Sequence, residues 1–232
     1  EIALPLLTKR SSSKKNKEVN LKTHKKLSPP KLNRVQHIGI KVHNLDLAVE
    51  FYRDIMGMKI SDRYEPGDNP HNPWGICFLR SGNLHHEISL IGYAKENNLK
   101  PNRIGIREPG VGLHHFAFEV DSKKEFESWT SHLKENKIEF TSGPLVHSPT
   151  HPEGDGTLGE NRALYFYDPS GNGIEIFCDM ARINEEDNSI EEKWFRDRLQ
   201  KDGYSRNSCN PSRPWIPGRS SMEGAIKKFG EK

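Results

Sequence analysis

One phrase occurs twice in this chain, and it limits what the chain can fold into more than any bulk property does. The first copy runs Val35-Gln36-His37-Ile38-Gly39-Ile40-Lys41-Val42 and leads into Asn44-Leu45-Asp46-Leu47-Ala48-Val49-Glu50-Phe51-Tyr52. The second runs Leu113-His114-His115-Phe116-Ala117-Phe118-Glu119-Val120 and leads into Asp121-Ser122-Lys123-Lys124-Glu125-Phe126. Each reads as a strand bearing a histidine, a short polar turn and an amphipathic helix. Each copy later reaches a strand with a glutamate, Glu87 in the first and Glu175 in the second. A repeated unit with His at its start and Glu near its end can assemble one metal site between its copies.

The elements follow in the order β-α-β-β-β, twice. Val35–Val42 alternates with His37, Gly39 and Lys41 on one face. Asn44 is a helix N-cap, and apolar residues recur at helical spacing to Met56, where Gly57 ends the helix. Met58–Arg63, Gly75–Leu79 and Leu84–Ile91 read as the remaining strands of the first module. In the second, Gly112–Val120 is a strand, Ser122 and Glu125 form a capping box, and Phe126, Trp129 and Leu133 make the buried helix face. Lys137–Thr141 is a strand, a long loop carries His147 and His151, and Ala163–Tyr167 and Gly173–Cys178 complete the set. The expected fold class is therefore α+β, with modules at 35–93 and 112–180. The C-terminal region, 181–232, holds one polar helix over Asn188–Lys201, with Trp194 and Phe195 as docking points, and then an extended arm.

Charge is unevenly spread. Residues 8–34 carry ten Lys or Arg against one acid, Glu18, a local charge of +9 that leaves −6 for the rest. The overall basic balance belongs to that extension, which argues against a nucleic-acid-binding surface on the folded part. Residues 1–34 lack aromatic side chains and read as a solvated extension with no core of its own, compatible with the remnant of an organelle transit peptide. The chain starts at Glu1 rather than Met, which reads as a processed form. Three scattered cysteines make neither a disulfide framework nor a zinc ribbon and suit an intracellular compartment, cytoplasmic or organellar. No apolar run is long enough to span a membrane.

Two β-α-β-β-β modules with these motifs resemble the vicinal oxygen chelate superfamily, which includes glyoxalase I, methylmalonyl-CoA epimerase, fosfomycin and bleomycin resistance proteins, and extradiol catechol dioxygenases. The resemblance covers residues 35–180 and implies two modules curled into a half-open barrel around a divalent metal. Within the family the motifs are most similar to those of extradiol dioxygenases, where Fe(II) is held by two His and one Glu. By that match His37, His115 and Glu175 would be the ligands. His86, in Leu84-His85-His86-Glu87-Ile88, would be the acid/base, and Tyr165 would hydrogen-bond a substrate oxygen. Such enzymes usually carry a further histidine seven to nine positions before that tyrosine. Here positions 156–158 are Gly156, Thr157 and Leu158, so either His147 or His151 serves from the long loop or the role is unfilled.

The resemblance implies an Fe(II)-dependent dioxygenase acting on a catechol-type vicinal diol. Two alternatives stand beside it. In glyoxalase- and epimerase-like members the first-module carboxylate is a fourth ligand, which would be Glu87, and the metal would be Ni, Zn, Mn or Co. The third reading is a non-catalytic assembly subunit whose tails dock onto a protein partner. Alternation makes His86 and Glu87 competitors for the inner face. If His86 faces inward, Ile88 and Leu90 should line the pocket with it; if Glu87 does, Ser89 and Ile91 should.

Overall fold

The computed structural model describes residues 30–68, 74–93, 98–101 and 111–218. Expectations for residues 1–29 and for the end of the arm beyond residue 218 lie outside these. Residues 1–35 form one unit, of which 30–35 are irregular and exposed, and residues 36–232 form the other. Among the described residues no helix is long and apolar enough to cross a membrane.

The first module is β1 (Ile38–Val42), α1 (Leu45–Glu50), β2 (Lys59–Tyr64), β3 (Trp74–Arg80) and β4 (Ile88–Tyr93). The second is β5 (Phe116–Glu119), α2 (Lys123–Glu135), β6 (Phe140–His147), β7 (Asn161–Tyr167) and β8 (Gly173–Cys178). Each module makes one four-stranded sheet, in the orders β1-β4-β3-β2 and β5-β8-β7-β6, so the repeat in the sequence is a repeat of topology. The fold is α+β, and the sheets remain separate rather than closing into one barrel.

Alternation sorts each sheet into two faces. Ile40, Val42, Cys77, Leu79, Ile88 and Leu90 of the first sheet point to the helices, as do Leu164, Phe166, Ile174 and Ile176 of the second. With Phe51, Tyr52, Phe126 and Leu133 they form one core shared by both modules. The sheet lies close beneath α1 because Gly75 and Gly92 pair across β3 and β4. A Cβ at Gly92 would fall 2.7 Å from that of Leu45, so alanine there would push the helix off its seat.

The seam between modules carries a buried polar contact. The Tyr52 hydroxyl donates to Asp168 Oδ2 at 3.1 Å, and burial, reinforced by the Asp168 carboxylate, pushes the phenol pKa well up. Asp168 also accepts from the Ser170 and Asn172 amides at 2.9 and 2.8 Å, so it organises the β7–β8 turn. Tyr52→Phe is expected to cost about 1–2 kcal/mol, since Asp168 keeps its other donors. Urea unfolding should show that loss as a lower midpoint with unchanged slope.

Several boundaries differ from the sequence reading. The first helix ends at Glu50 and passes into a five-residue π turn, Phe51–Ile55, before Gly57 at φ +68°. Ser122 Oγ accepts the Glu125 amide, but the Glu125 carboxylate takes the amide of Asp121, one residue earlier than a capping box requires. The fourth strand starts at Ile88 rather than Leu84, because Glu87 Oε2 accepts the Ser81 amide at 2.8 Å and closes the turn over 81–87. His147 is the last residue of β6 and not part of a loop. Gly143-Pro144 hid the strand, and two register shifts against β7 accommodate it.

The segment after β8 packs onto the second module. Ile183 bridges Ile190, so the last helix, α3, starts only at Glu192 and runs to Lys201. Phe195 and Leu199 are fully buried, and Trp194 lies over Arg198. Arg198 meets Glu160 at 3.3 Å, both side chains being 5% exposed or less. Asp202, just past the helix, receives Arg162 at 2.6 Å, Lys123 at 3.1 Å and His151 at 3.2 Å.

Candidate metal centre

The centre is most complete in the second module. His115 immediately precedes β5, and β5 runs parallel to β8 with Ala117 opposite Glu175. Gly173 permits this: a Cβ there would fall 2.5 Å from the His114 carbonyl, so only glycine lets the lead-in carrying His115 lie this close to β8. Glu175 and Tyr165 are cross-strand partners on the face away from the core. His115 Nε2 stands 3.0 Å from Glu175 Oε2, and the His115 and Tyr165 rings are 5.3 Å apart. The Asn161 amide donates to Glu175 Oε1 at 3.0 Å, fixing the carboxylate and leaving Oε2 toward His115. Glu175 is 6% exposed.

A relay stands behind Tyr165. Its hydroxyl lies 2.9 Å from His147 Nε2, and His147 Nδ1 is 2.8 Å from Asp155 Oδ2. The Asp155 carboxylate can only accept, so Nδ1 carries a hydrogen, and a neutral His147 accepts from the tyrosine at Nε2. Burial, and then the Glu175 carboxylate, raise the Tyr165 pKa, so the phenol stays protonated. His147 thus reaches the tyrosine across the sheet. His151 does not: it is fully buried against Asp202.

In the first module His37 precedes β1 on the exposed face. Its Nδ1 donates to Gln36 Oε1 at 2.9 Å, which leaves Nε2 with its lone pair, the form a metal ligand needs. The His86 ring lies 4.8 Å from that of His37 and 4.7 Å from Phe78. Burial lowers the His86 pKa, and the neighbouring His37 and His85 lower it further, so the ring is neutral near pH 7. Glu87 is engaged elsewhere, at the Ser81 amide.

The expected coupling between His86 and the strand after it fails. Ile88 and Leu90 belong to the helix-side core, although His86 keeps company with His37. His86 sits in the turn before β4, where strict alternation does not apply. The register adds a further point. Ile38 pairs with Ile88 as Phe116 pairs with Ile174, so the residue equivalent to Glu175 is Ser89, opposite Gly39. Glu87 lies two positions earlier.

The second-module pair and the first-module histidines form separate clusters. Among the described residues, the one group of three or more His, Cys, Asp or Glu with all ligand atoms within 4.8 Å of one another is His151, Glu153 and Asp202. That group does not suit a metal ion. His151 Nδ1 accepts the Glu153 amide at 3.1 Å, so Nε2 carries the hydrogen directed at Asp202, and neither ring nitrogen offers a lone pair. Asp202 is already matched by Arg162 and Lys123. His115 Nε2, Glu175 Oε2 and His37 Nε2 are by contrast an N/O donor set of the kind that divalent transition metals take, with both the carboxylate and His37 fixed by a neighbouring amide.

Sequence reading missed Gln36, Asn161 and the Asp155–Thr157 turn. Only the last left a signal, the Asx-turn residues Asp155-Gly156-Thr157, where Asp155 Oδ1 accepts the Thr157 amide at 2.9 Å.

Paired βαβββ modules with a His/Glu site at the mouth of their first and last strands define a known class. The chain belongs to the Glyoxalase/Bleomycin resistance protein/Dioxygenase superfamily, whose family pattern it matches over residues 34–176. Among curated relatives, it is 27% identical over 145 residues to the metallothiol transferase FosB of Staphylococcus epidermidis, covering 62% of this chain and 81% of FosB. It is 29% identical over 106 residues to biphenyl-2,3-diol 1,2-dioxygenase 2 of Rhodococcus globerulus, covering 45% of this chain and 46% of the dioxygenase. The chain thus spans less than half the length of that relative. A glyoxalase/dioxygenase structure from Nostoc punctiforme superposes with TM-score 0.44 at 23% identity, over 67% of this chain and 97% of that one.

Proposed function

We propose that this chain is an Fe(II)-dependent ring-cleaving dioxygenase of the extradiol type, acting on a catechol-type vicinal diol. His37, His115 and Glu175 would hold the metal. Iron(II), when bound, would supply open positions for the diol oxygens and dioxygen. The observation that carries the reading is the side chain beside His37. It is the neutral imidazole of His86, while Glu87 is tied to Ser81 and Ser89 occupies the register position of Glu175. That arrangement supports a site with one carboxylate and an acid/base over one with two carboxylate ligands.

In this reading His86 takes a proton from the diol at its free ring nitrogen and returns it to the product. Tyr165, kept protonated, donates to a substrate oxygen when its hydrogen turns from His147, and the Asp155–His147 pair re-sets it. Phe78, tilted against His86 at 4.7 Å, offers the aromatic ring of the substrate a face to pack on. Likeness to the biphenyl-diol dioxygenase supports the substrate class, and likeness to FosB supports a second reading, a metal-dependent lyase, isomerase or transferase using Ni, Zn, Mn or Co. The third reading, an assembly subunit with a protein partner for its tails, is favoured by the separation of His37 from the His115–Glu175 pair.

Metal analysis of protein purified without oxygen, followed by oxygen-uptake assays with catechol and 2,3-dihydroxybiphenyl, separates the three. Iron together with uptake and a coloured ring-opened product is the expected result. Manganese, nickel or zinc without uptake would favour the second reading, and no metal at all the third. Asn161→Ala should weaken metal affinity about 10–100-fold while the fold persists, because it frees the Glu175 carboxylate. Equilibrium dialysis against the metal measures it.

A further inference from the structure

At the other end of β1 the module seam opens into a cavity of about 680 Å³ that is lined by none of the proposed metal ligands. Its size is that of a small-molecule site. Its walls come from five places: the end of β1, the end of β4, residues 98–101, the lead-in to β5 and the β7–β8 turn. Lys41, Lys100, His43 and His114 line it, and among the described residues no Asp or Glu does. Tyr93, Leu99 and Leu113 supply the apolar part, with Leu99 and Leu113 47% and 64% exposed.

The polar wall is built in advance. The turn residue Asp168 accepts the Ser170 and Asn172 amides and the Asn172 side-chain amide, which holds the turn rigid. Ser170 Oγ accepts the His43 backbone amide at 3.2 Å and lies 3.0 Å from His43 Nδ1. The hydroxyl can donate to Nδ1 or accept from it, so either tautomer keeps this contact, and it holds in place a ring that lines the cavity. Two ammonium groups and an imidazole held by Ser170, beside an aromatic ring and two leucines, form a recognition pattern with two halves.

We infer that this cavity binds a small organic anion, an apolar or aromatic body bearing one carboxylate. The lysines and His43 take the carboxylate, and Tyr93, Leu99 and Leu113 take the body. A carboxylate gains from charge-assisted hydrogen bonds that a neutral group of the same shape forgoes. The body gains by covering leucine surface that otherwise faces water. The inference does not depend on the dioxygenase reading, since it uses no metal ligand.

The test is a titration of the purified full chain with benzoate, benzyl alcohol and inorganic phosphate, followed by side-chain NMR signals of His43, Leu99 and Leu113. Benzoate is expected to shift these signals and saturate, with benzyl alcohol and phosphate each at least about tenfold weaker. The double variant Lys41→Gln/Lys100→Gln should weaken benzoate about tenfold or more while its melting temperature stays put. Benzyl alcohol binding as well as benzoate would overturn the role of charge, and phosphate binding as well would overturn the role of the apolar half. An undiminished double variant would overturn the site. So would loss of benzoate binding on adding EDTA, because it would assign the anion to the metal centre and leave the dioxygenase reading untouched.

Discussion

His86→Ala is expected to retain its metal and lose ring cleavage by about 10²–10⁴-fold, the usual contribution of one proton-transfer group. Glu87→Ala, whose carboxylate is engaged by the Ser81 amide, should change metal content little. A site with two carboxylate ligands reverses both outcomes, so metal content and rate measured on the two variants discriminate where either alone would not. The pH profile adds a third readout. Burial and the neighbouring imidazoles lower the His86 pKa from its ordinary value near 6.5, so the acid limb of the wild-type rate should lie below about pH 6.5. That limb should be missing from His86→Ala. A glutamate variant with intact activity but no metal would be incompatible with the proposed ligand set.

The second large effect concerns stability. Asp202→Ala removes the acceptor of Arg162, Lys123 and His151 and leaves the buried guanidinium with only Glu153 at 3.1 Å and Asp179 at 3.9 Å. The expected cost is about 1–3 kcal/mol, the penalty for leaving buried donors without an acceptor, or on the order of 5 °C in a thermal melt. Burial alone would raise the Asp202 pKa, but hydrogen bonding from His151 and the charges of Arg162 and Lys123 hold it well below the usual carboxylate range. A depressed folded-state pKa gives stability that is fully present above the unfolded value near 3.9 and lost as pH falls through the folded one. The difference between wild type and variant should therefore be constant from pH 5 to 7 and shrink below about pH 4. A flat difference down to pH 2 would show that Asp202 acts through packing instead.

The topology was legible because it was written twice. Two copies of strand, cap and helix limit the alternatives severely, and Gly173–Cys178 has the bounds its alternation indicates. The failures cluster where a side chain, not a periodicity, sets the geometry. Glu87 closes a turn that delays β4, and nothing in Leu84–Glu87 distinguishes a strand from that turn. Pro144 reads as a strand breaker, and only the register shifts in β6 show how the sheet accepts it. The C-terminal helix looked polar because its buried positions include Arg198 and its anchor is Asp202, charges whose partners lie some 38 or more residues away in sequence. At the candidate centre, residue types and their order were readable. Support from Asn161 and Gln36 was not, since an amide carries no signal until its partner is beside it.

Ser89 in the place of a second glutamate also fixes an electrical balance. A divalent ion held by two neutral imidazoles and the single carboxylate of Glu175 is only half neutralised. The surplus positive charge would sit on a face where His86, its pKa lowered by burial and the neighbouring imidazoles, adds no charge near neutral pH. Such a centre would attract an acidic hydroxyl and favour its ionised form over the neutral one. Restoring the missing carboxylate, as in Ser89→Glu, would cancel that pull, making the ion hold faster and the diol bind less readily.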